Sequence, residues 1–351
     1  MIPVFDGHND ILLKLFKAAP EARDALWLTG DGSGHLDLAR MRRGGFAGGF
    51  FAIYIPSPDS GLDYDKLMEA PPFDVPLPEL IRDTAAQPTA LVMAGILLRM
   101  ERVSNGGFQV CRSVAEIRAC LADGRVAGIM HMEGAEAIGA DLDALHSFHA
   151  IGLRSIGPVW SRPTIFGHGV PFRFPGDPDT GPGLSEAGKA LVRECNALKI
   201  MIDLSHINEA GFNDIAALST APLIATHSNA HAITPSTRNL TDRQLAVIRA
   251  SGGMVGMNFA TSFLRPDGRQ SADMDWDPIL RHMDHLIAHL GEDHVGFGSD
   301  FDGATIPSGI ADVTGLPALL AALAAHGYDD SLLRKLAHEN WLRLLERTWG
   351  G

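Results

Sequence analysis

Eight short apolar runs punctuate the chain, and most of them stop at a residue that can do chemistry. Pro3–Phe5 gives way to Asp6-Gly7-His8-Asn9-Asp10, and Phe50–Ile55 follows the glycine-rich Gly44–Gly49. Val126–Met130 leads to His131-Met132-Glu133-Gly134, and the weaker run Leu153–Val159 leads to Trp160-Ser161-Arg162. Ile200–Leu204 ends in Ser205-His206, Leu223–Ala225 in Thr226-His227-Ser228, Met254–Met257 in Asn258-Phe259, and Val295–Gly298 in Ser299-Asp300-Phe301-Asp302. Runs this short and continuous suit strands buried on both faces. Between them, Val114–Ala122, Leu142–Ala150, Glu186–Leu198, Glu209–Leu218, Asp242–Ala250 and Ile279–Leu290 carry apolar residues at three- and four-residue intervals, the spacing of helices. Ser185, Asn208 and Thr241 stand where helix-starting side chains belong. Strands alternating with helices call for a parallel sheet, and eight of them for its closure into an α/β fold of the (β/α)8 TIM-barrel type.

Two segments exceed a minimal barrel. Residues 56–100 follow the second strand, with a helix predicted near Glu79–Ala86, and residues 161–183 form a long loop after the fourth. Phe166, Phe172 and Phe174 in that loop predict a packed lid. Leu316–Trp349 reads as C-terminal helices covering the barrel. With 46% hydrophobic residues, 20% charged residues and no low-complexity linker, residues 1–351 read as one barrel domain. A formal charge of -13 with no cluster of Lys and Arg argues against nucleic acid. Cys111, Cys120 and Cys195 lack a C-x-x-C spacing and read as free thiols of a reducing compartment. No leader and no membrane-length apolar stretch is evident, so a cytoplasmic location is expected.

In a β/α barrel the active site lies at the C-terminal ends of the strands. Those ends carry His8, Asp10, Glu133, His206, His227 and Asp300, imidazoles and carboxylates that suit zinc and similar divalent ions. His8 and Asp10 are two apart and share a face of an extended chain, so the pair can hold one metal. Glu133 can give one oxygen to each of two metals. Alone, it would equally suit a helix N-terminus. His206 and His227 stand at equivalent positions on successive strands, a register that a structural role would not require. Asp300, on the last strand, closes next to the first and could accept a proton from water, serve as a ligand or cap a loop. His282, His285 and His289, with Asp284, are expected on an outer helix face. His131 is expected to line the barrel, and His168 and His231 to lie in loops. The remaining histidines read as structural or exposed.

The stretches Asp6–Asp10, Glu133-Gly134, Asp203–His206, Thr226–Asn229, Arg238–Asp242 and Gly296–Gly303 together resemble the membrane dipeptidase (renal dipeptidase) family of amidohydrolase-like barrels. The match runs through most of the chain in the family's order. It implies two Zn2+ per chain, with His8 and Asp10 on one ion, His206 and His227 on the other, and Glu133 bridging. It further implies attack by a hydroxide between the metals, Asp300 as the proton carrier, and Arg238 as the partner of the substrate carboxylate. The expected substrate is a small dipeptide, with a D-residue tolerated at its C-terminal side, and a homodimer is allowed. One position departs. Trp160 stands about where the family has a His that polarises the scissile carbonyl, and Arg162 or His168 is the expected substitute donor. Two other readings are a related amidohydrolase acting on an N-acyl amino acid, and a barrel that binds metal and peptide without turnover. A phosphotriesterase-like site is disfavoured, because no lysine follows a barrel strand.

Overall fold

The computed structural model describes all residues except Asp59, Ser60, Leu62 and Gly351; the first three belong to the insertion predicted after the second strand. Eight parallel strands form the barrel: β1 (Val4–Asn9), β2 (Phe46–Tyr54), β3 (Val126–Glu133), β4 (Leu153–Ile156), β5 (Met201–Ile202), β6 (Ile224–Ala225), β7 (Met254–Asn258) and β8 (Val295–Gly298). They neighbour one another in the order β5-β4-β3-β2-β1-β8-β7-β6. The seam between β5 and β6 is a single bridge, Asp203 to Ile224, reinforced by the Leu204 N–H donating to the Ile224 carbonyl at 2.8 Å. The expected (β/α)8 barrel is therefore present, nearly closed by its ladders and drawn together at one seam.

Strand limits differ from the apolar runs for physical reasons. β1 continues through Asp6, Gly7 and His8, because the buried Asp6 carboxylate accepts from the Ser299 N–H (2.6 Å) and hydroxyl (2.8 Å) across the sheet. β2 takes in Gly48 and Gly49. A Cβ at Gly48 would press on Ala127 and the Phe5 ring, so these glycines permit a close approach of strands. A short strand, Phe108–Val110, pairs with the first half of β3, leaving the second half to β4. Three residues carry too little periodicity to be seen in sequence.

The helix predicted near Glu79–Ala86 is in fact the 21-residue Asp83–Val103, which runs through Pro88. Its buried stripe of Ala86, Ala90, Met93, Ala94, Leu97 and Met100 explains why. Burying six apolar side chains outweighs a missing hydrogen bond and a ring clash worth about 3 kcal/mol. The other helices keep their expected starts. Ser185 accepts from Gly188 N–H, Asn208 from Gly211 N–H, and Thr241 forms a reciprocal box with Gln244. Phe166 is fully buried, while Arg173–Phe174 pairs with Phe73–Asp74, so the insertions after β2 and β4 are joined as a small ribbon. Within the C-terminal helices, Trp341 plugs the bottom of the barrel, and its indole N–H donates to the Phe297 carbonyl at 3.0 Å. Among the described residues, no helix is long and apolar enough to cross a membrane.

The expectation for His282 fails. His282 is fully buried, not on an outer face. Its Nδ1 accepts from the Ala230 N–H (3.1 Å) and its Nε2 faces the Leu264 carbonyl (3.1 Å). This pins the loop that leads to Arg238. His285 and His289 do lie outside, against Asp242.

Burial holds the His282 pKa down to about 3 against an ordinary 6.5. The native state therefore binds fewer protons than the unfolded chain between these values, and stability is lost as the pH falls through that window. In urea titrations, wild type should lose about 3 kcal/mol more than His282→Gln between pH 6.5 and pH 4. Parallel losses in the two proteins would contradict this role.

Candidate metal centre

The barrel brings the six candidate side chains to one mouth. His8 is next to last in β1 and Asp10 follows that strand; Glu133 ends β3; His206, His227 and Asp300 follow β5, β6 and β8. Glu133 Oε1 lies 2.9 Å from His206 Nε2, 3.5 Å from His227 Nε2 and 3.6 Å from His8 Nε2. His8 Nε2 is 3.3 Å from Asp10 Oδ2. The ligand atoms of His8, Glu133 and His227 fall within 4.8 Å of one another, as do those of His8, Asp10 and Asp300. His8 belongs to both groups and thus connects two potential cation positions, with Glu133 in the first.

The electrostatics of this mouth call for added positive charge. Burial pushes the Glu133 carboxyl well above its ordinary pKa, and burial followed by the neighbouring Asp10 raises Asp300. Burial alone would lower His8, but Glu133, Asp10 and Asp300 outweigh it and hold the ring up at about 10. Both His8 nitrogens lack a hydrogen-bond partner although the ring is fully buried. Burial keeps His206 and His227 well below 6.5, hence neutral.

Outer contacts fix where these rings point. Thr226 Oγ1 donates to Asp203 Oδ2 at 2.7 Å, so it must accept from His227 Nδ1–H, 2.8 Å away. Ser161 Oγ holds His206 Nδ1 at 2.9 Å. The two Nε2 atoms lie 3.1 Å apart, and that of His227 presents its lone pair to the centre. With a cation between them, the two rings are a ligand set. The residues present fit divalent metal. Gly303 supports the same reading, since a Cβ there would fill the space between the Asp10 and Asp300 carboxylates.

A cavity of about 330 Å3 opens above this cluster, walled by Tyr54, Trp160, Phe172 and Phe263, with Arg238 and Asp300 also facing it. Arg238 is buried; its Nη1 donates to the Ser205 carbonyl and its Nη2 to the His227 carbonyl at 3.2 Å, while Nε has no partner. Burial lowers its pKa to about 10, so it stays cationic at neutral pH. Asp300 sits at φ 60 and accepts from Asn258 Nδ2 at 2.9 Å. Asn258 and Asp203 were not singled out as functional in sequence, although each closes or follows a strand at the same mouth.

The sequence profile of the membrane dipeptidase family (peptidase family M19) matches residues 1–349. The chain belongs to this family. It is a metallodipeptidase, a hydrolase of peptide bonds. The chain is similar to a metallopeptidase of Rhodobacter sphaeroides whose crystal structure holds a phosphinate mimic of the dipeptide L-Ala-D-Ala. That similarity is 72% identity and a TM-score of 0.98, covering 99% of each chain. It is 51% identical over 254 residues to an uncharacterised protein from the pqqA 5′ region of Klebsiella pneumoniae, covering 72% of this chain and 94% of that one. It is 29% identical over 350 residues to the dipeptidase verJ of Clonostachys rogersoniana, covering 98% and 84%.

Within this dipeptidase, Trp160 does face the cavity. Its ring packs at 5.8 Å from His206, 5.1 Å from Tyr54 and 5.5 Å from Phe172. The two expected substitute donors are elsewhere. Arg162 is fully buried, with Nε and Nη2 on Glu136 Oε1 (3.0 and 2.7 Å), Nη1 on Ser57 Oγ and Nη2 also on the Ile55 carbonyl (both 2.8 Å). His168 is half-buried in the loop after β4, where its carbonyl accepts from Asn208 N–H at 3.1 Å. Neither lines the cavity.

Removing a brace behind a ligand should weaken metal binding without unfolding the barrel. Thr226→Val keeps the side-chain shape and deletes the hydroxyl that orients His227. Competition against a chelator should show about a 10- to 100-fold loss of zinc affinity. Unchanged affinity would mean that Thr226 serves only the seam.

Proposed function

We propose that the chain is a dinuclear zinc dipeptidase with a preference for dipeptides of the form L-Xaa-D-Xaa. The observation that carries this reading is one cavity with a convergent cation site at its floor and a buried arginine on its wall. His8 and Asp10 would hold one ion, His206 and His227 the other, and Glu133 both. The mixed imidazole and carboxylate donors favour zinc over a hard oxygen-seeking ion. Bound zinc would supply Lewis-acid polarisation of a carbonyl and a lowered pKa for water.

The chain's own residues account for the remaining tasks. Arg238 keeps Nε and part of its fork for a carboxylate, the terminus that a free dipeptide presents. Asp300, with its raised pKa and its Asn258 contact, is suited to take up a proton at Oδ and return it to the departing amine. Tyr54, Trp160, Phe172 and Phe263 shape an apolar space for side chains and keep water from the reacting bond. The Rhodobacter relative's dipeptide mimic supports a D-residue on the C-terminal side.

The test is a panel of L,L- and L,D-dipeptides assayed with the zinc-loaded enzyme. L-Ala-D-Ala should be turned over faster than L-Ala-L-Ala, and Arg238→Met should raise KM about 10- to 100-fold with a smaller effect on kcat. Asp300→Asn should retain zinc and lose about 10²- to 10⁴-fold in kcat. No turnover of any dipeptide, or a full rate in Asp300→Asn, would refute the reading.

A further inference from the structure

Tyr54 ends β2 directly beside Glu133. The two are partners in the β2–β3 ladder, so their side chains leave the sheet together at the barrel mouth, and both line the cavity. The Tyr54 ring packs edge-on against Trp160 at 5.1 Å, and the Ser57 hydroxyl neighbours the Tyr54 hydroxyl closely enough to favour charge on it. Ser57 Oγ in turn receives Nη1 of Arg162 at 2.8 Å. Arg162 itself is clamped by Glu136 and the Ile55 carbonyl, with both ionic side chains wholly buried.

Chemistry fixes the donor at the first link. A guanidinium has donors and no acceptor, so Ser57 Oγ must accept from Arg162. Ser57 Oγ keeps a proton and a second lone pair beside the Tyr54 hydroxyl. Tyr54 lines the cavity, so its hydroxyl proton can be offered to a group bound there. A phenol is neutral at neutral pH, and burial raises the pKa of this one despite the nearby Arg162 guanidinium. The result is a neutral donor beside the space above the candidate cation site.

We propose that Tyr54 is the hydrogen-bond donor to the scissile carbonyl oxygen, the task left open by Trp160, with Ser57 and Arg162 as positioning residues behind it. As water adds to the carbonyl carbon, the C=O π electrons move onto oxygen, and Tyr54 stabilises that charge without transferring its proton. Arg162, while lying outside the cavity, would contribute by holding Ser57 in place behind Tyr54. The proposal rests on the dipeptidase reading above.

The experiment compares wild type, Tyr54→Phe, Ser57→Ala and the double variant, all zinc-loaded, on L-Ala-D-Ala. Calorimetric binding of a phosphinate mimic of that dipeptide is measured in parallel. Tyr54→Phe should keep its zinc content, lose about 10²-fold in kcat with KM moving less than about threefold, and bind the tetrahedral mimic correspondingly more weakly. Ser57→Ala should show a partial loss, and the same change in the Tyr54→Phe background should cost nothing further. Full kcat and full mimic affinity in Tyr54→Phe, beside an active wild type, would overturn the proposal and leave the dipeptidase reading standing. A raised KM with unchanged kcat would make Tyr54 a ground-state contact and also overturn it. Additive losses in the double variant would overturn the positioning role of Ser57. An inactive zinc-loaded wild type would remove the dipeptidase reading and the proposal with it.

Discussion

Asp10 and Glu133, both buried, converge with Asp300 at the barrel mouth, and the mutual repulsion of the three shapes what surrounds them. Charges placed this way are costly unless something positive lies between them. The structure answers with imidazoles whose Nε2 atoms face inward and with an arginine anchored on backbone carbonyls. A divalent cation relieves all three carboxylates at once. Burial, followed by the neighbouring Asp10, raises the pKa of Asp300, which suits the proton-carrying role proposed for it. Structure and chemistry at this mouth therefore have one origin.

The barrel's weakest seam is also where the ligands are oriented. β5 and β6 share one backbone bridge, and the Asp203 carboxylate crosses the gap to the Thr226 N–H (2.8 Å) and hydroxyl (2.7 Å) while also accepting from Ser205 Oγ (2.6 Å). Thr226 then fixes the tautomer of His227. Closing the fold and aiming a ligand are thus achieved by the same few bonds. His282 extends this logic outward, since it holds the start of the loop on which Arg238 is carried.

The barrel and the cation site could be read from the chain because both obey a local rule, an apolar run followed by a chemical residue. His8, Glu133, His206, His227 and Asp300 each occupy that position on a different strand. Features set by distant partners were less visible. Arg162 looked like a loop arginine free to reach substrate, and only the fold brings Glu136 and Ser57 against it. His282 was misread for a different reason. It shares its helix face with Ile279, Met283 and Leu286, all buried, and a neutral imidazole with both nitrogens satisfied belongs there as readily as a leucine. Tyr54 drew no notice because it ends an apolar strand as one more aromatic, and its significance depends on a register with Glu133 that no local pattern encodes.

The central claim is that this mouth is built around two bridged cations. Anomalous diffraction at the zinc edge from zinc-grown crystals measures it most directly. Two full peaks about 3.5–4 Å apart, with Glu133 between them, His8 and Asp10 on one and His206 and His227 on the other, are the expected result. A single peak, or zinc held without Glu133, would contradict it.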